Sequence, residues 1–528
     1  MMQSGTRRAE PLPFPVDARG AARVLADSGE PWFWLDGAAA PAGEARVSLL
    51  GIGAELRHAH AGGERAFLEA LRGEAPIAEE ALRGEALIAG RTPAGSAGTP
   101  ELSGGAASRA AGASLGTAET RGFASGWILA LGYEFGLGLL GVEPPGDGPP
   151  DLGMAGARPA DRDPATHGEP PVASALRADV VLAVDHDSGQ AELRGDPAAV
   201  RLWSERFAER LRVAGRAIPP RAAPAVPLPP SADPAADAGR PRWRRSDSRY
   251  RADIDACRAA IREGEAYVLC LTDTAELRGR FDPLESYLRI RGAGGAIRGG
   301  VIALGDRALV SASPERFLGV RAGTVETHPI KGTRPRGTTP ERDAALAEEL
   351  AADPKERAEN LMIVDLMRND LSRVCAPGSV RVDGFLRVEH HTHVHQLVST
   401  VIGALASGND ALDAIAACFP GGSMTGAPKR RAVEILRERE GAPRGLYSGC
   451  FGWLDDAGDA ELAMTIRGIE IRDPGSADGR ALVGAGGGIT IDSDPVEETA
   501  EKHLKAAPLL AALRLVATGI RDQSIAPG

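Results

Sequence analysis

Lysine is scarce in this chain: Lys331, Lys355, Lys429, Lys502 and Lys505 stand against 56 arginines, and none precedes residue 331. Either residue serves as a surface charge, but only lysine readily sheds its proton to become a nucleophilic amine, so each of the five raises its own chemical question. Cysteine is equally sparse. Cys257, Cys270, Cys375, Cys418 and Cys450 are scattered, odd in number and without a CxxC pair. This excludes a disulfide framework or a zinc ribbon and leaves reduced packing residues. No run approaches the ~18 uninterrupted apolar residues of a membrane span. The formal net charge of -11 excludes an extended phosphate-binding surface, so the expected partner is a small molecule or a protein rather than nucleic acid. The opening MMQSGTRRAEPLPFPVDARG has basic residues but no apolar segment behind them, so a secretory leader is not expected and the expected location is cytoplasmic. No HExxH pair or GK[ST] phosphate loop occurs.

What is present is an ordinary globular composition, 43% hydrophobic and 25% charged over 528 residues. Residues 20–217 form an N-terminal region with strand-like runs at Trp32–Leu35, Val47–Leu50 and 178–185, a core-like stretch at 126–136 and an amphipathic helix at 196–216. Low-complexity insertions interrupt it: a near-tandem repeat at 70–91 running into an Ala/Gly/Ser/Thr stretch to 119, and a Pro/Gly/Asp-rich loop at 142–171. A Pro/Ala-rich linker follows at 218–245. From 246 to 518 the breakers thin out. Helices are predicted at 250–263, 341–352, from 354, from 411 and from 495, strands at 266–272, 300–327, 447–454, 461–472 and 481–491, and a helix or strand at 394–404. Runs of strands alternating with runs of helices predict an α+β fold with antiparallel sheets.

Two of these helices share a design. In DPKERAENLMIVDLMRNDL, Asp353 is a natural N-cap and Pro354 occupies the first helical position, where a missing N–H costs nothing. Glu356 and Glu359 are then i,i+3 neighbours, and the Asp-Pro start recurs in DPVEETAEKHLKAA with Glu498 and Glu501. Four carboxylates on two helix faces suit a hard divalent cation, and acids near helix N-termini equally suit the macrodipole and capping; spacing leaves both open. In the loop His328–Gly337, Gly332 allows close backbone approach to an anion while Lys331 supplies a charge or a nucleophile. The glycine run Gly484–Gly488 is placed at a strand end, where consecutive N–H groups could face a carboxylate or simply form a tight turn. Arg467 suits a bidentate carboxylate pair or a strand-face ion pair. Histidines 390, 391, 393 and 395 cluster without a metal-ligand spacing.

The segments PIKGTRPRG, ERAENLMIVDLMRNDL, HQLVSTV, PGGSMTGAPKRRAVEIL, GLYSGCFGWL, AMTIRG and GAGGGITIDSDP together resemble the chorismate-utilising enzymes closely from about 250 to 507. FWLDG, RVSLLG and GWILALGYE are similar to the family more loosely over 30–135. Within the family the resemblance is to the aminodeoxychorismate synthase component I branch. It implies stacked antiparallel β-sheets in a sandwich with peripheral helices, and a central cleft holding chorismate with Mg²⁺. Carried over by position, it implies Glu356, Glu359, Glu498 and Glu501 around the metal, some through water. Gly332, Thr333, Thr425, Tyr447, Arg467, Gly486, Gly487, Gly488 and Lys505 would contact the substrate. Lys331 is the implied nucleophile: it attacks ring carbon 2 as the 4-hydroxyl leaves with Mg²⁺ assistance, and ammonia then adds at carbon 4 and expels it. That role predicts a Lys331 pKa lowered by burial or cationic neighbours.

Lys331 also separates subfamilies, because anthranilate synthase component I, the alternative reading, typically has alanine there. Isochorismate-type enzymes using water, and a non-catalytic scaffold, are more remote alternatives. No cysteine sits in a GxCxGxQ context, so ammonia is expected as free ammonium or from a separate glutamine amidotransferase subunit (component II). The product would serve 4-aminobenzoate and folate synthesis or an aromatic-amine natural product. Two positions depart from the family. Gln396 stands where anthranilate synthases have a catalytic histidine, so that acid/base role is not carried over; and Cys270 stands where the family strand has asparagine.

Overall fold

The computed structural model describes residues 8–40, 44–73, 122–145, 170–214, 240–294, 297–391 and 394–517. The repeat and low-complexity segment, apart from 70–73, most of the 142–171 loop and the linker up to 239 lie outside the described residues.

Among the described residues, twelve strands make one antiparallel sheet and nine make a second. Strands from both sides of the linker build each of them. Trp32–Asp36 pairs with Arg298–Ala303 in the larger sheet, and Gly126–Leu131 pairs with Cys450–Asp455 in the smaller. The N-terminal and C-terminal regions therefore complete one another's ladders.

Side chains of a strand alternate between faces, and that alternation defines three layers of core. Phe33, Ile302 and Leu309 from the larger sheet meet Ile128, Leu176, Phe451 and Trp453 from the smaller, filling the space between the sheets. Their neighbours Trp34, Val301 and Val310 point the other way, into a layer shared with the helices Ala18–Ala26, Pro197–Ala214, Pro283–Gly294 and Pro495–Ala517. Trp127, Leu129 and Leu131 face outward from the smaller sheet toward Glu64–Leu71, Tyr133–Leu139, Pro354–Ser372 and Ala411–Cys418. Central strands covered on both faces read as continuous apolar runs, as GWILAL does, because no face remains for polar residues. The result is the α+β sandwich with peripheral helices that the sequence predicts. No helix among the described residues is long and apolar enough to cross a membrane.

A small third sheet, Ile330–Pro335 with Val394–Val398 and Arg387–His390, stands beside the sandwich, so the ambiguous segment 394–404 is strand. Helices Pro340–Ala352 and Pro354–Ser372 pack on it. Both begin as their sequences dictate: Thr339 accepts from Arg342 N and Asp353 from Lys355 N and Glu356 N, each ahead of a proline at the first position.

Candidate active site

The third sheet aims Lys331. Ile330 pairs with Val398 and Thr333 with Gln396, so Lys331 and Gly332 together face the single residue Leu397. Such a bulge redirects a side chain and needs a residue able to absorb the kink. Gly332 does so at φ +86°, and a Cβ there would lie 2.8 Å from Leu350 Cδ1 and 3.1 Å from Glu356 Cβ. Gly332→Ala is therefore expected to lose about 1–3 kcal/mol from left-handed strain and overpacking, read as a lowered Tm. An unchanged Tm would show that the bulge tolerates a side chain.

The floor of the site is the strand Arg480–Ile489. The glycines expected at a strand end form its C-terminal half and are paired, with Cys270 opposite Gly488, Leu271 opposite Gly487 and Thr272 opposite Gly486. The run therefore does not offer consecutive free donors. Cys270 N and Thr272 N donate to Thr425 O and Glu440 Oε1, which leaves Leu271 and Gly487 as a hydrogen-bonded pair and turns Gly486 and Gly488 to the opposite edge. Pairing with Gly468–Arg472 ends at Val483, so that edge is open beside the glycines, and Lys505 Nζ donates to Gly486 O at 2.9 Å. Side chains from three other elements lie on this bare backbone. A Cβ on Gly488 would sit 3.5 Å from Lys331 Nζ, one on Gly487 2.8 Å from Glu498 Oε2, and Tyr447 packs its ring against Gly484.

The two glutamate pairs arrive from the first turns of Pro354–Ser372 and Pro495–Ala517. Glu356 does not fold back to cap its helix; its carboxylate lies 3.5 Å from Arg334. Glu359 is 3.8 Å from Lys331 Nζ. Glu498 is buried and accepts from Ser493 Oγ at 2.7 Å, and Glu501 pairs with Lys505 at 2.7 Å. Burial raises the Glu498 carboxyl above its ordinary value and Glu501 adds to the effect; burial, Glu359 and Asp353 do the same for Glu356. Burial also works to raise Glu501, but Lys505, Lys355 and Lys331 bring it below the usual value. Among the described residues, no three His, Cys, Asp or Glu side chains converge closely enough to hold an ion between them. Oxygen donors presented in pairs suit a hard cation that keeps waters and takes further oxygens from a ligand.

Lys331 departs from expectation. Its side chain is 17% exposed, and burial does pull its pKa down, but Glu359 and then Cys270, Glu315 and Glu356 hold it above the ordinary lysine value. The groups facing it are acidic, not cationic, so the sign of the shift reverses.

Glu315 escaped the sequence reading. It sits in Ser313-Pro-Glu-Arg-Phe317, between the apolar strands Arg307–Ser313 and Arg316–Arg321, where an acid between two core strands is the available signal. It is buried and accepts from Ser423 Oγ at 2.7 Å. Burial pushes its carboxyl up to about 7 against the opposing pull of Ser423 and Lys331. A carboxyl poised there beside an amine is suited to proton transfer.

The remaining expected contacts are placed differently from one another. Thr425 is fully buried and its hydroxyl is committed to Gly421 O and Gly422 O, where it holds the Gly422–Met424 turn. Thr333 and Arg467 are exposed, Arg467 in the left-handed region at φ 50°. Burial raises the Tyr447 hydroxyl, opposed by Arg444 and Arg467. Thr465, two residues before Arg467, is buried with its hydroxyl unpartnered, a second polar group that the sequence reading missed. Of the histidine cluster, His395 is fully buried between His390 and Asp343.

Comparison with known proteins adds an independent line. The profile of a family described as chorismate binding enzyme matches residues 152–511. The chain is 42% identical over 393 residues to a protein named aminodeoxychorismate synthase from Streptomyces pristinaespiralis, covering 74% of this chain and 52% of that protein. It is 39% identical over 399 residues to the aminodeoxychorismate synthase of Streptomyces griseus, covering 74% of this chain and 50% of that protein. The chain thus spans about half the length of these curated relatives. Among solved structures, anthranilate synthase component I from Streptococcus pneumoniae TIGR4 superposes with a TM-score of 0.61 at 23% identity, covering 97% of this chain and 94% of that one. At that identity the likeness is one of fold.

Proposed function

Since the chain belongs to the chorismate-binding enzyme family, we propose that it is the aminating component of an aminodeoxychorismate synthase, converting chorismate and ammonia to 4-amino-4-deoxychorismate and water. The observation that carries this reading is the Lys331 amine, aimed by a glycine bulge onto the bare backbone of Gly488, with Glu359 at 3.8 Å and the carboxyl of Glu315 as its acidic neighbours. The names of the two Streptomyces relatives support it.

In this reading the neutral Lys331 amine bonds to ring carbon 2 while the carbon 4 hydroxyl departs as water, with its proton supplied by Glu315. Ammonia then bonds to carbon 4 and the bond from carbon 2 to Lys331 breaks, returning the amine. Gly486 and Gly488, which turn backbone donors to the open sheet edge, together with Lys505 and Arg467, would hold the substrate carboxylates. The oxygen-only donor set and the raised carboxyls of Glu356 and Glu498 fit Mg²⁺, with Glu359 and Glu501 completing the group, in part through water. When bound, the ion supplies charge neutralisation at the carboxylates and the departing hydroxyl. Glu498→Ala is expected to weaken Mg²⁺-dependent chorismate binding about tenfold or more, measured by titrating the ion against bound chorismate. Unchanged magnesium affinity would remove Glu498 from the metal group.

Ammonia would come from free ammonium or a separate glutamine amidotransferase subunit, and the product would feed 4-aminobenzoate and folate or an aromatic-amine product. The cysteines are all free and buried, in keeping with a reducing cytoplasmic location. The test is mass-resolved product analysis after incubating the chain with chorismate, Mg²⁺ and excess ammonium at mildly alkaline pH. The expected product is aminodeoxychorismate with its enolpyruvyl ether intact. Anthranilate or isochorismate instead would overturn the reading.

A further inference from the structure

Behind Glu315 the packing is incomplete. Phe317, Ile363, Met367 and Met464 wall a cavity of about 10 Å³ with Glu315 and Ser423 as its polar lining, which is room for one water-sized molecule. Ser423 alone among the lining residues is not buried, so the space is walled by core on every other side. Arg316 and Thr327 also border it, but the guanidinium is held by Glu461, Glu326 and Glu44 and the Thr327 hydroxyl by Phe317 O. Ser423 Oγ donates to Glu315 Oε1 at 2.7 Å and keeps its lone pairs to accept, while the second carboxyl oxygen takes no hydrogen bond from the described residues. Met464 N donates to Glu315 O at 3.0 Å, which sets the acid against this wall, and Pro329, two residues before Lys331, borders the same space. Glu315 and Lys331 also feel each other's charge. The cavity therefore lies at the carboxyl that the amination reading assigns to carbon 4, within reach of the Lys331 charge.

We propose that this cavity seats the incoming ammonia and holds the nucleophile to one heavy atom, shutting out alkylamines; this rests on the amination reading above. Neutral ammonia matches the space in size and in polarity: it donates N–H groups to the free carboxylate oxygen and to Ser423 Oγ, and keeps its lone pair for carbon 4. A methyl group on the nitrogen has no place in a space of one molecule, and a misfit of one carbon in an apolar pocket costs about 10–200-fold in kcat/KM. The carboxylate is the form Glu315 holds once its proton has left with the carbon 4 hydroxyl as water. As the nitrogen bonds to carbon 4, the ring double bonds shift and the carbon 2 to Lys331 bond breaks with its electron pair going to Nζ. The surplus proton on the new nitrogen passes to Glu315. Acid and amine are both restored, and nothing is oxidised or reduced.

The test uses the full chain with chorismate, Mg²⁺ and a mixture of ammonia and methylamine at equal concentrations of the neutral amines, and reads the ratio of the two products by mass. The parent protein should yield aminodeoxychorismate with almost none of the N-methylated product, which is heavier by one methylene. Met367→Ala lengthens the cavity, and its product ratio should shift toward the methylated amine by about tenfold or more. Both amines meet the same folded molecules, so a loss of stability, which a merely structural Met367 would show as a lowered Tm, cancels from the ratio. An unmoved ratio in Met367→Ala, or a parent protein that uses methylamine as readily as ammonia, would overturn the proposal. If Met367→Ala does not accumulate as folded protein, Ile363→Val, which removes one methyl group from the same wall, carries the same measurement. Failure of the underlying reading looks different: the parent protein itself would then release no nitrogen-containing product from either amine.

Discussion

Lys331→Ala should reduce ammonia-dependent conversion of chorismate by at least about 10³-fold, while the variant still folds and binds chorismate with Mg²⁺. The loss is expected to be large because the amine divides one displacement into two, and the other nucleophilic side chain on this floor, Cys270 opposite Gly488, has its thiol pKa raised by burial. Lys505 is tied to Glu501 at 2.7 Å and to Gly486 O at 2.9 Å, and Lys502 is fully buried against Asp273, Trp243 and Tyr250. The check is the kcat of the variant at saturating ammonium. A second readout follows from the same chemistry: with ammonia withheld, the parent protein should carry an adduct of chorismate less one water on Lys331, found by mass spectrometry of the intact chain and its peptides. Unchanged turnover in Lys331→Ala would end the nucleophile assignment and leave the fold untouched.

Glu315→Gln should cost on the order of 10²–10⁴-fold in kcat, the range for a positioned proton donor, with little change in chorismate affinity. It should also change the pH profile. Glu315 titrates at about 7 and Lys331 above the ordinary lysine value. Below about 7 both hold their protons and the ammonium of Lys331 cannot attack. Above it the two share one proton, and the form with neutral amine and protonated carboxyl becomes accessible, so the rate should rise with pH through about 7 and stay level until the lysine itself titrates. In Glu315→Gln that rise should vanish along with most of the rate. A variant that keeps the rise would assign the titration to another group and remove Glu315 from proton transfer.

Both effects come from parts of the site that differ in how far they were legible from the chain. The rarity of lysine drew attention to Lys331, and the Asp-Pro helix starts placed Glu356, Glu359, Glu498 and Glu501 within the first two turns, as observed. Caps and first-turn positions depend on residues a few places apart, which is why they can be read locally. The α+β class with antiparallel sheets was legible in the runs of strands and helices, whereas the stacked sandwich was implied by the family resemblance; strands covered on both faces, such as GWILAL, are apolar throughout because no face is left for polar residues.

The protonation of the site was not legible. Glu315 owes its raised pKa to burial beside Ser423, 108 residues away, and Lys331 its raised value to acids from three other segments. Whether the glycine run turns or stays extended could not be read locally, because glycine suits a turn and a crowded strand equally, and only pairing with Val268–Arg278 decides for strand. Gln396 gives no sign in the sequence that its carbonyl goes unpaired. The order of residues alone thus determined where helices start and which segments run as strands, since each depends on near neighbours. Only the tertiary structure decided which way the site's charges shift and which buried polar atoms go unpaired, because desolvation and Coulomb interaction act through space between segments that the chain order keeps far apart.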